Sequence, residues 1–191
     1  EYGQSASGGM VVRQVTSLSP ALSLWQSPSR HDPNLVLDGT SSIWSPASLP
    51  AQLGVRTSRM IRVSHVVIQP SANRHEMAGA ETRSCAPRNI KLWGIVDGKH
   101  NRERFELLHT LAHPLPRPSI HRNYLWALLG TFVYDVHNTA HSQRFYVLEE
   151  IANSDMTFGI FALEIIDNWG VRPSHTCLQS FAIYGAPETI E

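Results

Sequence analysis

The sequence has few cysteines, no excess of either charge and no long apolar run, and each shortage excludes a class of protein. Its 16 basic and 16 acidic side chains balance, whereas a nucleic-acid-binding protein needs a basic face. No apolar run approaches the roughly 18 residues that can span a bilayer. The opening EYGQSASGG lacks the charged and then apolar layout of a signal peptide. We expect no nucleic-acid partner, and we expect targeting and membrane segments to lie upstream.

Only two cysteines occur, Cys85 and Cys177. Two thiolates cannot complete a structural zinc site without histidine partners. The two cysteines could form one disulfide, bind a metal weakly or remain as free thiols in the core. Because cysteine is among the residues most often buried, free buried thiols are the prediction at this point.

Motifs of catalysis are also scarce. The sequence has no Gly-x-Ser-x-Gly elbow, no phosphate-binding loop and no dinucleotide fingerprint. A thiol hydrolase would need a cysteine at a helix N-terminus or beside a cation, but Cys177 follows His175 within an apparent strand. The sequence therefore predicts that the chain is not an enzyme.

Histidines occur twice at the spacing of helical metal ligands, in the pairs His109/His113 and His137/His141. His113 precedes Pro114, which disfavours a helix at that point. The second pair lies in HNTAH, which is typical of a turn. Neither pair has the glutamate of an HExxH site, so we predict no dedicated metal site from histidine.

What the chain does contain is a series of short segments with the alternation of β-strands. The predicted strands are Met10–Gln14, Met60–Gln69, Ile90–Val96, Trp126–Tyr134, Arg144–Leu148, a strand around Phe161–Ile165, and Cys177–Tyr184. We place Ile61, Val63 and Val67 on one buried face, and we predict one buried face for the strand that contains Glu164. Residues 1–191 therefore form one all-β domain, an antiparallel β-sandwich of jelly-roll or discoidin-like type.

Two stretches are predicted to be irregular. Ser17–Asp38 is rich in serine and proline, with Trp25 and the run Leu35–Leu37 as its anchors to the core. Lys99–Asn123 contains HPLPRP and no strand periodicity, so we predict a long surface insertion loop. The best helix candidate is a short piece near Arg102–Leu111.

Six blocks of sequence resemble the SUN domain and occur in that family's order. They are SASGGMVV at 5–12, Trp44 with LGV at 53–55 and RMI at 59–61, SCAPRNI at 84–90 with Trp93-Gly94, LGTFVYD at 129–135, IIDNWG at 165–170, and TCLQSFAIYG at 176–185. Since the blocks cover nearly the whole chain, it is identified as a member of the SUN domain family. The inserted loop resembles that of fungal members.

The resemblance implies a function. SUN proteins cross the inner nuclear membrane and place this domain, after a coiled coil, in the perinuclear space. The domain forms a homotrimer, and a groove between protomers receives the C-terminal tail of a KASH protein from the outer nuclear membrane. A hairpin lid adds a strand to the tail, and a pocket holds its carboxylate. The resulting LINC complex couples the nucleus to the cytoskeleton or spindle pole.

The resemblance also implies site residues. The lid corresponds to 15–24, which is shorter than in animal members, and its candidate tail contacts are Ser17, Leu18 and Leu22. Where animal members hold the carboxylate with His, Ser and Tyr, this chain has Pro70, Cys85 and Gln179. Ser84 and Cys177 flank the same pocket. Because Pro70 has no side-chain donor and a thiol is a weak one, we expect altered tail chemistry.

A monovalent cation such as potassium is a further implied ligand, at residues 33–42. The backbone of Pro33, Val36, Asp38 and Ser42 would hold it. The family disulfide that ties this loop is lost because Ile43 replaces its first cysteine. Cys177 is therefore expected to be unpaired unless it finds Cys85, the only other candidate. Thr16 stands near the family cysteine that bonds to the partner, so that bond is expected to be absent.

A different class remains open. A discoidin-like sandwich can bind glycan or lipid through its loops, and such modules carry exposed aromatic rings at loop tips. Trp25 or Trp126 would serve in that role. A hydrolase is the third alternative.

Overall fold

The computed structural model describes residues 1–18, 32–38, 43–70, 85–108, 115–120, 123–138, 140, 142–170 and 176–188, and β-strands dominate these ranges. The strands are β1 (Met10–Val11), β2 (Ala51–Pro70), β3 (Asn89–Ile95), β4 (Trp126–Val133), β5 (Gln143–Tyr146), β6 (Phe158–Ile165) and β7 (Leu178–Pro187). The α-helices are α1 (Leu35–Asp38), α2 (Lys99–Leu108) and α3 (Glu149–Ala152), and Ser5–Ser7 and Arg13–Val15 are 3-10 turns. The prediction of a mostly β, antiparallel fold is confirmed.

Strand β2 belongs to both halves of the fold. Its first part, from Ala51 to Arg56, lies in a sheet with the order β1-β2-β6-β3-β4. Its second part lies between β5 and β7. The register with β6 shifts between Arg56 and Ile61, and such an irregularity bends a strand and increases its twist. One long strand thereby forms part of both sheets.

A second irregularity in β2 changes which side chains are buried. The register with β7 shifts between Val63 and His65. After that shift, Val66 and Ile68 are buried, whereas Val67 is only partly buried. The placement of Val67 on the buried face was therefore wrong, because the extra residue of a bulge reverses the alternation that follows.

The main core contains the inner faces of both sheets. Its fully buried members include Leu53, Val55, Ile90, Leu92, Phe161, Leu163, Phe181 and Ile183. Each such side chain contributes about 1.5–3 kcal/mol when it leaves water. Val36 and Leu37 of α1 join the same cluster, which confirms the Leu35–Leu37 run as an anchor.

Strand β6 is buried on both faces, which corrects the prediction of one buried face. Glu164, on the outer face, has no exposed surface. Val15 packs into a second apolar cluster there with Trp93 and Trp126. The backbone N–H of Ser119 donates to Glu164 Oε1 (2.6 Å), and Trp93 Nε1 donates to Oε2 (2.7 Å). The chain itself therefore covers a polar position that alternation alone assigns to solvent.

Part of the predicted insertion loop is a helix. The first ten residues of Lys99–Asn123 form α2, so the loop prediction is wrong there and the short-helix prediction is right in kind but starts three residues late. Asn101 fixes α2 to the start of β6, because its Nδ2 donates to the carbonyl of Thr157 (2.7 Å) and its Oδ1 accepts from the Thr157 N–H (3.1 Å). Phe105 is buried beneath the helix.

Candidate functional site

The two cysteines form a disulfide, with their Cα atoms 5.3 Å apart. The prediction of free buried thiols is therefore wrong, and Cys85 is the partner that Cys177 finds. Backbone bonding brings the two segments together, since the Cys177 N–H and the Thr176 hydroxyl both donate to the Cys85 carbonyl at 2.9 Å. The sequence could not give this distance, because 92 residues separate the two positions.

The predicted pocket residues converge where β7 begins. Pro70, the last residue of β2, is opposite Leu178 in the β2–β7 ladder, next to Cys177. The ladder shifts between Gln69 and Pro70, so Gln179 is the extra residue of a bulge opposite them. Bulges often redirect side chains beside functional sites. The structure thus brings Pro70, Cys85, Cys177 and Gln179 to one end of the sandwich.

Cys85 differs from the prediction in what it offers to a ligand. A sulfur in a disulfide has no S–H to donate, and Cys85 is 7% exposed. Pro70 has no side-chain donor by composition. Among these three pocket positions, the amide of Gln179 is thus the side chain that can donate a hydrogen bond.

The described part of the lid region is fixed to the start of β2. The Ser17 N–H donates to the Gln52 carbonyl (2.7 Å), and the Gln52 N–H donates to Ser17 Oγ (2.8 Å). Leu18 is 84% exposed, and its carbonyl accepts from the Ala47 N–H (3.1 Å). Leu22 and Ser84 lie outside the described residues. The tail-contact roles of these residues stay predictions.

Segment 43–50 connects the lid anchor with the pocket. Trp44 exchanges two backbone hydrogen bonds with Leu178, at 2.9 and 3.0 Å. Three residues later, the Ala47 N–H donates to the Leu18 carbonyl. Trp44 is fully buried, and its indole N–H has no partner in the described part of the chain. Segment 43–50 therefore contacts both Leu18 of the lid region and Leu178 beside the pocket.

The candidate cation loop contains α1. The carbonyl of Pro33 accepts the N–H of Val36 at 3.3 Å, as in a turn. Val36 is buried and Asp38 is exposed, while Ser42 lies outside the described residues. The potassium site stays a prediction. The described ranges contain no group of three or more His, Cys, Asp or Glu side chains that could hold a metal, and His109, His113, His141 and His175 lie outside those ranges.

Trp169 of the NWG motif packs beside the pocket segment. Its N–H donates to the carbonyl of Ala86 (3.0 Å), and its indole Nε1 donates to the carbonyl of Tyr134 (2.7 Å). The Arg88 guanidinium lies 4.8 Å from the Trp169 ring centroid. Sequence reasoning missed Arg88, because its contact joins residues far apart in the chain and no local pattern indicates it.

The local environment shifts the pKa values of Tyr134 and His65. Burial raises the pKa of Tyr134, and the carboxylate of Asp135 adds to that rise, although a hydrogen bond with Gln143 opposes it. On the outer face of β2, burial lowers the pKa of His65, with further lowering from Arg144. His65 stacks on Tyr184 with ring centroids 4.7 Å apart.

Trp126 cannot act as an exposed aromatic residue at a loop tip. It is the first residue of β4, is 2% exposed and packs in the second apolar cluster. That part of the glycan-binding alternative is wrong, because the outer face of the sheet is covered. Trp25 lies outside the described residues. None of the helices in the described ranges is long and apolar enough to cross a bilayer.

The fold is an antiparallel β-sandwich, and it is similar to solved structures that include family 32 carbohydrate-binding modules. Similar solved structures include the C-terminal domain of a chitobiase from Bacteroides fragilis, with a TM-score of 0.56, 12% identity and 95% coverage of both chains. The family 32 carbohydrate-binding module of Streptococcus pneumoniae EndoD has a TM-score of 0.54 at 14% identity, covering 93% of this chain and 96% of that one. The family 32 module of Clostridium perfringens NanJ, in complex with galactose, has a TM-score of 0.51 at 12% identity, covering 92% and 98%. At these identities the likeness shows the fold alone.

The family is given by a separate match. Residues 39–187 match the family described as Sad1/UNC-like C-terminal, and the chain belongs to this SUN domain family. The family is one of interaction domains rather than enzymes, and it is typically associated with the nuclear envelope. A search of curated protein sequences returned no match.

Proposed function

We propose that this chain is the perinuclear-space domain of a SUN protein, which forms a trimer and binds the C-terminal tail of a KASH-type partner. The bridge would link the nucleus to the cytoskeleton or spindle pole. Membership of the SUN family supports this function. The observation that carries it is the convergence of Pro70, Cys85, Cys177 and Gln179 at the start of β7.

The tail carboxylate would meet an unusual set of groups. An ionised carboxylate accepts hydrogen bonds and needs N–H or O–H donors. Neither Pro70 nor the disulfide-bonded Cys85 supplies one from its side chain. The amide of Gln179 remains, on a bulge that sets it apart from the regular alternation of β7. We assign Gln179 the role of side-chain donor to the tail.

The lid would engage the tail by adding a strand. Such β-augmentation gains affinity from main-chain hydrogen bonds and specificity from alternate side chains. Ser17 would be its fixed base, because two hydrogen bonds hold it to β2. Leu18, which is largely exposed, would supply an apolar contact at the start of the lid.

The decisive measurement is calorimetric titration of the domain with a synthetic KASH tail, in parallel with the same tail amidated at its C-terminus. We expect the Gln179→Leu variant to weaken binding about tenfold or more, because it removes the side-chain donor assigned to the tail carboxylate. Thr131→Leu, on the exposed face of β4, makes a similar polar-to-apolar change elsewhere and should bind as the wild type does. Equal affinity of Gln179→Leu and wild type would remove Gln179 from the site.

Assembly requires a separate experiment. Sedimentation of a longer chain that includes the upstream coiled coil should give a trimer. A strictly monomeric species that ignores KASH tails would contradict the proposed function. A glycan array, run beside the tail pull-down, tests the remaining alternative; glycan binding without tail binding would favour the carbohydrate-binding class that the fold resembles.

A further inference from the structure

Arg88 is a cation without a counter-ion in the described part of the chain. Its guanidinium makes no ion pair there; the salt bridges in those ranges join Arg62 to Asp155 and Lys99 to Glu103. Arg88 is exposed, and the ring of Trp169 lies under its guanidinium at 4.8 Å from the centroid. Stacking on an aromatic ring holds the planar guanidinium in place while its N–H groups stay available.

The nearby carboxylates already accept other donors. Asp167 accepts from Asn89 with both oxygens, Oδ1 from the backbone N–H (2.9 Å) and Oδ2 from the side-chain amide (2.8 Å). Asp135 Oδ1 accepts the N–H of His137 (2.9 Å). Neither carboxylate forms an ion pair with Arg88 in the described ranges, and the Trp169 ring that holds the guanidinium is itself fixed by a hydrogen bond to the Tyr134 carbonyl.

This cation lies close to the candidate tail pocket. Arg88 is the third residue after Cys85, so their Cα atoms are at most about 11 Å apart. Pro87 forms a β-bridge with Asn168, and Ala86 bonds to Trp169. An extended peptide advances about 3.3 Å per residue. A tail that ends at the disulfide can therefore bring a residue a few positions before its end to Arg88.

We propose that Arg88, held on the face of Trp169, is a subsite for an acidic side chain of the bound tail. The inference rests on the proposed function and adds the chemistry of the partner to it, which is a carboxylate a few residues before the C-terminus. An Arg fork can bind a carboxylate with two parallel hydrogen bonds, and a lysine at this position would provide only a point charge.

The first experiment is independent of any tail. Triglutamate and triglutamine peptides are titrated into the isotope-labelled domain, and NMR follows the Arg88 Nε–H and Trp169 indole N–H resonances. Triglutamate should shift both resonances, and triglutamine should not. Arg88→Gln should weaken triglutamate binding about fivefold to tenfold, and Arg88→Lys by less. Arg62→Gln removes the same charge from a side chain already paired with Asp155, and it should change the affinity less than about twofold.

The second experiment uses KASH tails with a glutamate or a glutamine a few residues before the end. The glutamate tail should bind several-fold more tightly to the wild type, and Arg88→Gln should abolish that preference. A preference that persists in Arg88→Gln, or equal triglutamate affinity in Arg88→Gln and wild type, would overturn the subsite while leaving the proposed function intact. If neither tail binds while triglutamate binding still depends on Arg88, the proposed function fails and the carboxylate subsite stands.

Discussion

Two polar regions of the sandwich satisfy their hydrogen-bonding groups in opposite ways. Glu164 is fully buried, and the chain supplies donors to both of its carboxylate oxygens. Arg88, at the disulfide end, is exposed, and its guanidinium forms no ion pair with a carboxylate in the described ranges. Polar groups that are hydrogen-bonded within the chain stabilise the fold, whereas surface groups without such bonds are available to a partner.

The buried region itself contains a contrast. Gln52 lies directly opposite Glu164 in the β2–β6 ladder, and both are fully buried. Neither amide atom of the Gln52 side chain has a hydrogen-bond partner within the described ranges. Since an unpaired buried polar group is unfavourable, two facing residues on one sheet should have opposite effects on stability.

The largest expected effect follows from removing Glu164. Glu164→Ala leaves the buried Trp93 Nε1 without an acceptor and also removes the acceptor of the Ser119 N–H, and we expect a loss of about 3 kcal/mol in the free energy of unfolding. Urea denaturation of the purified domain measures this loss. Glu149→Ala, at the exposed start of α3, should change it by less than about 0.5 kcal/mol. A loss below about 1 kcal/mol for Glu164→Ala would remove the contrast between the two regions.

At Gln52 we expect a smaller change in the free energy of unfolding, and of opposite sign. Gln52→Leu replaces an unpaired amide with an apolar side chain that needs no hydrogen-bond partner, and we expect a gain of about 1 kcal/mol in the free energy of unfolding. Gln143→Leu is the matched control, because Gln143 Oε1 accepts the Asp135 N–H (3.0 Å) and its Nε2 donates to the Asp135 carbonyl. The control should lose stability in the same denaturation experiment. If Gln52→Leu lost as much unfolding free energy as Gln143→Leu, the interpretation of Gln52 as an unpaired buried amide would be wrong.

The smallest effect concerns His65 and the dependence of stability on pH. Burial, followed by Arg144 and the N-terminal amine, lowers the pKa of His65, so the folded state favours the neutral imidazole. Its contribution is therefore present above the usual histidine pKa of about 6.5 and is lost as pH falls through the lower folded-state value. We expect unfolding free energies measured between about pH 7 and 5 to fall less in His65→Gln than in the wild type. Identical slopes would show that this surface ring makes no titratable contribution.

The alternation of apolar and polar residues predicted most strands. It did not predict which side of a strand is buried where a bulge shifts the register or where another segment covers the sheet. The predicted strand began at Met60 because the residues from Arg56 to Arg59 are polar. The structure shows that β2 is continuous from Ala51 through the bend between the sheets. Val67 changed face because of the register shift before His65. Glu164 was expected at a solvent face, because its cover comes from segments distant in sequence. Local patterns carry no information on such long-range contacts.

The sequence predicted which residues form the candidate site, but it did not predict how they contact one another. Family blocks placed Pro70, Cys85 and Gln179 in one pocket, and the structure brings them to one end of the sandwich. The disulfide depends on a distance between segments, which composition cannot supply. Arg88 was not predicted for the same reason, because the contact that holds its guanidinium is with the ring of Trp169, which is distant in sequence.

The Cys85–Cys177 bond also closes a covalent ring that contains β3 to β6 and leaves β1, β2 and β7 outside it. Tension applied to the chain on the two sides of this ring passes through the sulfur atoms and bypasses the enclosed strands. The sequence separation of 92 between the cysteines corresponds to about 310 Å of extended chain. Under load, the oxidised domain would therefore withhold that length, and reduction would release it.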